Sequence, residues 1–292
     1  MTELSPLAAF SGALADLTAS AAASVVGVEG PRTLASGFVW RPGLVLAAEE
    51  ALGEEGEFVA VLTGGARRPA RLVGRDPSTD VALLRVEGET PAPVTLDAAL
   101  PRPGALALAI GARSGAPLVA LGAIAHAGGP WRSLRGGEID AHIELDLRPR
   151  FETQGALVVD VEGRGVGMLV LGPRGRALVI PSATLERVGA TLERHGRVPR
   201  GYLGLGLQPV RIDAHGGRGV MVMSVEIDGP GHVAGVRQGD VIVACAGEAV
   251  SGLRELLRAL GPGSVGRVVV MGVRRGGQPL ELTLTIGERP AA

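Results

Sequence analysis

The chain has 292 residues, too many for one ordinary core, and 46% of them are hydrophobic, enough to bury two. Its 29 basic and 30 acidic residues cancel to a formal net charge of −1, so no overall field draws it to nucleic acid or to an anionic membrane. Every basic residue is Arg, with Lys and Asn absent, which reads as coding bias; the single Cys245 excludes an internal disulfide and a cysteine metal cluster.

The opening Met1-Thr-Glu-Leu-Ser-Pro has no basic residue before Arg32 and lacks the pattern of a secretory leader, so a cytoplasmic location is expected. Leu7 to Ala22 reads as a helix. From Ala22 to Ile180 the apolar runs are short, rich in Val and Leu, and separated by Gly, Pro and Asp clusters, which argues for many strands. The candidates are Val25 to Val28, Ser36 to Val39, Leu44 to Ala47, Phe58 to Leu62, Ala82 to Val86, Ala105 to Ile110, Val119 to Ile124, Ala156 to Val159 and Gly165 to Val170. They suffice for a barrel or a pair of barrels. The longest stretch free of Asp, Glu and Arg, Ser114 to Trp131, is broken by Pro117, Pro130 and several glycines, so no membrane span is expected.

Leu185, Val188 and Leu192 then recur at helical spacing, with Ser182 available as an N-cap and Gly196 just past the end, which predicts a helix from Ser182 to His195. Val198-Pro-Arg200 follows as a linker, placing a domain boundary between 1–198 and 199–292. In the C-terminal domain a single amphipathic helix, Ser251 to Leu260, carries Leu253, Leu256, Leu257 and Leu260 on the same face. Gly261-Pro-Gly263 ends it, and strands from Val268 to Val273 and Leu280 to Ile286 flank a Gly276-Gly277 turn. Cys245, in the apolar run from Asp240, reads as a buried core residue.

Gly201-Tyr-Leu-Gly-Leu-Gly-Leu207, then Ala234-Gly-Val-Arg-Gln-Gly-Asp-Val-Ile242 and the Leu-lined helix, resemble a bacterial PDZ domain in order and spacing. The resemblance implies that the loop around Tyr202, Leu203, Gly204 and Leu205 presents backbone N–H groups to a peptide's terminal carboxylate. The peptide would pair as an added strand between Gly204 to Gln208 and the helix, whose Leu253, Leu257 and Leu260 would meet it. Physically, Gly201, Gly204 and Gly206 allow close backbone approach and an anion-binding nest, and Leu203 and Leu205 suit an apolar last residue. Pro209 removes one strand N–H. The same leucines could equally complete a core.

The N-terminal domain resembles the trypsin-like protease domain of the HtrA family. The run from Ala22 to Val28, Ala35-Ser-Gly-Phe-Val39, Pro103 to Gly111, Gly122-Ala-Ile124 and Ile180-Pro-Ser182 carry the likeness. The implied fold is mainly β, a trypsin-like double barrel followed by a PDZ domain, with no cofactor. The family's D-P-x-T-D-x-A-x-L motif appears as Asp76-Pro-Ser-Thr-Asp-Val-Ala-Leu-Leu84, which places the triad acid at Asp80. Where the family has T-N-A-H-V the chain reads Ala47-Ala-Glu-Glu-Ala51, with Glu50 in the histidine's place. Where it has G-N-S-G-G-P, counting from Asp146 reaches Glu152-Thr-Gln-Gly-Ala-Leu157, with Gln154 in the serine's place and Glu152 where a glycine shapes the oxyanion hole.

A solvated Glu near pKa 4.3 returns a proton poorly, and an amide nitrogen is no nucleophile. Losing serine and histidine together costs on the order of 10⁶ in turnover in such triads. None of the five histidines (126, 142, 195, 215 and 232) lies in the expected motif, and His142 falls within a strand leading towards Asp146; their scatter supports no zinc site. The expectation is therefore a pseudoprotease, not an enzyme, that binds peptides or protein C-termini with an apolar last residue, a homotrimer by family analogy with Phe10 the sole aromatic near its start. The alternatives are an active endopeptidase with an unorthodox site of Glu50, Asp80 and Thr153, and a chaperone using the cleft. If Glu50 lies beside Asp80, the two carboxylates should repel, with one protonated and hydrogen-bonded to the other.

Overall fold

The computed structural model describes residues 5–31, 33–53, 56–212 and 217–288; His215 lies outside them. By contact the chain divides into two compact units, Met1–Val198 and Pro199–Ala292.

The first unit opens with helix α1 (Pro6–Ala22), whose first turn is capped by the Ser5 hydroxyl accepting from Ala8 N at 3.2 Å. Strands β1 (Val25–Glu29), β2 (Leu34–Arg41), β3 (Leu44–Ala48), β4 (Phe58–Val61), β5 (Arg67–Asp76) and β6 (Val81–Val86) close into a barrel in the order β1-β2-β3-β6-β5-β4. Strands β7 (Leu106–Arg113) and β8 (Ala116–Gly128) form a long hairpin, and a short ribbon follows, β9 (Trp131–Arg132) with β10 (Glu138–Ile139). Then β11 (His142–Asp146), β12 (Leu157–Asp160), β13 (Gly165–Leu171) and β14 (Ala177–Pro181) complete a second barrel, β11-β14-β13-β12-β7-β8.

Period-two alternation explains why these strands read as unbroken apolar runs: both faces are buried, against different cores. Leu108, Ile110, Leu157, Val159, Met168, Val170, Leu178 and Ile180 point into a core shared with the first barrel and with helix α2 (Ser182–His195). Their neighbours Ala107, Ala109, Val158, Leu169, Ala177 and Val179 fill the second barrel's own interior.

Helix α2 has the predicted bounds, with Gly196 left-handed at its end (φ 70°). Its start departs from expectation. Pro181 occupies the N-cap, and the Ser182 hydroxyl donates instead to the carbonyls of Gly165 and Val166, both at 2.8 Å. Strand β5 and the full length of β14 lie outside the predicted strands; β5 carries four arginines and a proline, and its exposed positions dilute the apolar signal.

The second unit is a sheet in the order β16-β17-β18-β20-β21, made of β15 (Gly201–Tyr202) paired separately with β22 (Gly287–Glu288), then β16 (Leu205–Arg211), β17 (Arg218–Val225), β18 (Val241–Cys245) with β19 (Glu248–Ala249) beside it, β20 (Val268–Arg275) and β21 (Gln278–Thr285). Helices α3 (Pro230–Val233) and α4 (Leu253–Ala259) accompany it, α4 lying against β16. Gly276 and Gly277, at φ 57° and 85°, make the expected hairpin turn. Buried Asp240 accepts from Arg237 N and from the Arg275 guanidinium at 2.8 to 2.9 Å, and these donors hold its carboxyl below the usual range despite burial. Cys245 is buried as expected, and burial pushes its thiol up.

One side chain ties the loop carrying Gln154 to the first barrel. Ser36, fully buried on β2, donates from Oγ to Glu152 O at 2.8 Å and accepts from Ala112 N at 3.1 Å, while its own N–H donates to Gln154 O at 2.9 Å. Gly155 follows at φ 82°, where a Cβ would stand 2.0 Å from Ser36 O. Substituting Ser36→Ala strands two buried backbone groups and is expected to cost about 2–4 kcal/mol, read as a lower urea midpoint at unchanged slope.

Candidate functional site

The turn between β5 and β6 is held by its own first residue. The buried Asp76 carboxylate accepts from Ser78 N and Oγ and from Thr79 Oγ1, at 2.7 to 3.1 Å, so that Asp80 emerges in a left-handed conformation (φ 57°). Beyond β3, Glu49 N donates to Asp80 O at 3.3 Å and Glu50 N donates to Asp80 Oδ1 at 2.8 Å. The structure thus brings Glu50 and Asp80 together, but through the Glu50 backbone. The expected carboxyl-to-carboxyl hydrogen bond gives way to this amide contact, because the Glu50 side chain turns to Arg135, 3.0 Å from Nη2.

Arg135 belongs to the β9–β10 turn, and no sequence signal singles it out. Its guanidinium also approaches Glu49 at 3.9 Å and donates to Pro77 O at 3.2 Å. Glu49 in turn pairs with Arg75 at 3.2 Å. Asp80 is pushed up to about 7, first by burial and then by repulsion from Glu50 and Glu49, with the Glu50 N–H and Arg135 opposing. It faces a cavity of about 420 Å³ whose apolar wall comes from Trp131, Ile139, Val170, Leu178 and Ile180 and whose rim carries Glu50, Leu134 and Arg135.

The other predicted positions stand apart. Gln154 is 3% exposed, its carbonyl bound to β2, and it is not among the residues lining this cavity. The Thr153 hydroxyl donates to Arg150 O at 2.7 Å and accepts from Arg150 N at 3.0 Å, so it braces a turn. Glu152 points its carboxylate at Arg113, 3.4 Å away. His142 pairs with Glu144 at 3.0 Å and packs against His126 and Trp131. Among the described residues no group of His, Cys, Asp or Glu is arranged to hold a metal ion, and no helix is long and apolar enough to cross a membrane.

In the second unit β16 ends the sheet and α4 flanks it. Leu256 is buried in the core and Leu253 and Leu260 lean on it, whereas Leu257 is 48% exposed, so the expected single apolar face is divided between core and surface. The helix itself is shorter than expected, Gly252 taking an extended conformation at its start. Leu203 is buried, Leu205 is half-buried, and the carbonyls of Leu203 and Gly204 accept from Gly231 N and Glu226 N, both at 2.8 Å.

Residues 35–168 match the trypsin-like peptidase domain family and residues 201–286 match the PDZ domain family. A probable periplasmic serine endoprotease, DegP-like, of Brucella suis biovar 1 (strain 1330) is 30% identical over 280 residues, covering 90% of this chain and 54% of the relative. The chain belongs to the HtrA family. A like-named protein of Rhizobium meliloti (strain 1021) is 29% identical over 89% of this chain, and the HtrA chain spans about half the length of these curated relatives. Among solved structures, the serine endoprotease from Yersinia pestis is 25% identical, with a TM-score of 0.73 over 94% of this chain and 98% of that one. The HtrA-type protease AlgW with decapeptide shares the fold at 23% identity and a TM-score of 0.73, over 95% of this chain and 99% of that one.

Two expectations are corrected here. The cytoplasmic location is overturned by relatives named as periplasmic. The reading as a non-enzyme is overturned by relatives and neighbours named as serine endoproteases and HtrA-type proteases.

The raised Asp80 has a consequence for stability. Between about pH 4 and 7 the folded chain holds a proton there that the unfolded chain releases, so stability falls as pH rises through that window and levels off above it. Asp80→Asn is expected to remove this dependence, gaining about 2–4 kcal/mol over wild type at pH 8 relative to pH 4 in paired denaturation series.

Proposed function

We propose that this HtrA chain is a peptide-binding endopeptidase of protein quality control whose cleft works by carboxyl acid–base chemistry at Asp80, with water as the nucleophile. The observation that carries the reading is a carboxyl titrating at about 7 on the wall of a cavity with an apolar lining. Such a group is partly ionised at neutral pH and can both take and return a proton, as a solvated Glu cannot. In the step it supports, water oxygen bonds to the scissile carbonyl carbon as Asp80 takes the water proton. The C–N bond then breaks as Asp80 passes that proton to the leaving amine. Arg135 at the rim supplies the nearby positive charge. Gln154, with no hydroxyl, takes no covalent part, and the bonded Thr153 hydroxyl drops out of the unorthodox triad of Glu50, Asp80 and Thr153.

The triad positions Glu50, Asp80 and Gln154 are proposed by alignment of motifs, and the groove of Tyr202, Leu203, Gly204, Leu205 and Gly206 with Leu253, Leu257 and Leu260 as the place where a polypeptide is captured as an added strand. Solved HtrA-type relatives with a decapeptide and a tripeptide support peptide capture. Leu134, 78% exposed at the rim of the cavity, favours a second reading in which unfolded chains are held there without cleavage.

Incubation with unfolded casein tests both. Cleavage is expected to rise with pH through about 7 and to fall at least 100-fold in Asp80→Asn. Cleavage that survives this substitution removes the acid–base assignment, and suppressed aggregation with no cleavage gives the chaperone reading. Assembly as a trimer is proposed through α1, where Leu7 and Phe10 are 76% and 45% exposed. Light scattering is expected to give three times the chain mass, and Phe10→Glu to reduce it to one.

A further inference from the structure

The loop read as a carboxylate receptor has an acid beside it. Strand β17 ends at Val225, and the next residue, Glu226, reaches back in two ways. Its N–H donates to Gly204 O at 2.8 Å, and its carboxylate accepts the Tyr202 hydroxyl. Gly204 sits at φ 66°, and a Cβ there would lie 3.4 Å from Glu226 Oε2. The Glu226 carboxylate therefore flanks the middle glycine of the nest. On the far side of the same turn Asp228 follows, and its N–H donates to His232 Nδ1 at 3.2 Å. His232 lies on α3, whose Gly231 N donates to Leu203 O.

A peptide's terminal carboxylate seated on the N–H groups of Leu203, Gly204 and Leu205 would stand against this acid. Two unit charges about 5 Å apart repel enough to weaken binding about fourfold even at the dielectric constant of water, and by more where solvent is partly excluded. The nest still attracts an anion through its dipoles, so the two effects oppose. An internal strand, or an amidated end, meets the same apolar positions Leu203 and Leu205 and the same β16 edge without the repulsion.

We propose that Glu226 is a specificity-determining residue that cancels the preference for a free C-terminus, so that the groove takes internal extended segments bearing an apolar side chain. This rests on the peptide-binding reading above and departs from the expectation of C-terminal ligands.

The test uses the full chain on paired peptide arrays carrying the same apolar-ended sequences, once with a free terminal carboxylate and once amidated. For wild type, affinities for the two forms are expected to agree within about threefold. In Glu226→Gln the free acids are expected to gain about five- to tenfold and the amides to stay level, with a larger gain for the acids in Glu226→Lys. A purely structural role for the Tyr202 to Glu226 hydrogen bond would instead weaken both forms in both variants, and that result overturns the proposal. So does a wild type that binds the acids more than about tenfold tighter than the amides. If neither array binds wild type, the peptide-binding reading falls and takes this inference with it, whereas the two preceding outcomes remove the inference alone.

Discussion

Everything at the cleft follows from a carboxyl buried in company that does not neutralise it. The Asp76 turn fixes where Asp80 emerges, the Glu50 N–H gives it one good hydrogen bond, and Glu49 and Glu50 add two acids in sequence. Arg135 is the opposing charge, but it is divided among Glu50, Glu49 and the Pro77 carbonyl. Desolvation and repulsion then win over the hydrogen bond and the distant cation. Burial first, and then the charge of Glu50 from 30 residues away in sequence, thus raise the titration of Asp80. The chemistry of the cleft is a property of the cluster, and no single position defines it.

Much of the fold is legible in the sequence because burial on two faces leaves a strong mark. Strands such as β3, β7, β12 and β13 are continuous apolar runs, and their small-large alternation, Ala107 against Leu108 or Val158 against Leu157, already encodes which face meets which core. Strand β5 escapes the pattern for the opposite reason: one face is open, and arginines occupy it. Helix α2 is readable from three apolar positions and a terminal Gly196, yet Ser182 does not act as its cap. Sequence alone does not reveal that a neighbouring strand would offer its hydroxyl two carbonyls.

The site is legible where its geometry is local and opaque where it is not. Asp76 and Asp80 lie in one motif, and the turn they form depends on spacing within it. Arg135 sits on a Gly-bounded ribbon far along the chain from Glu50, and nothing in Ser133 to Gly137 marks it as the partner of that acid. Ser36 reads in sequence as one more residue of an early strand, although its hydroxyl and N–H together hold the loop of Glu152 and Gln154. The raised titration of Asp80 is likewise invisible there, since a pKa shift depends on burial and on neighbours brought together by the fold.

The absence of Lys bears on both sites. With Arg the sole cationic side chain besides His, positive charge arrives as a planar fork that suits bracing. Arg75 spans Glu49 and the Gly53 carbonyl, Arg275 spans Asp240 and the Gly235 carbonyl, and Arg41 lies over the Trp40 ring while pairing with Glu193. Cations engaged in this way brace loops and strand ends. On the readings proposed above, Asp80, with Arg135 on the same cavity rim, and Glu226 would face a bound polypeptide. On those readings, the distribution would favour ligands offering neutral backbone and apolar side chains over ligands carrying a terminal negative charge.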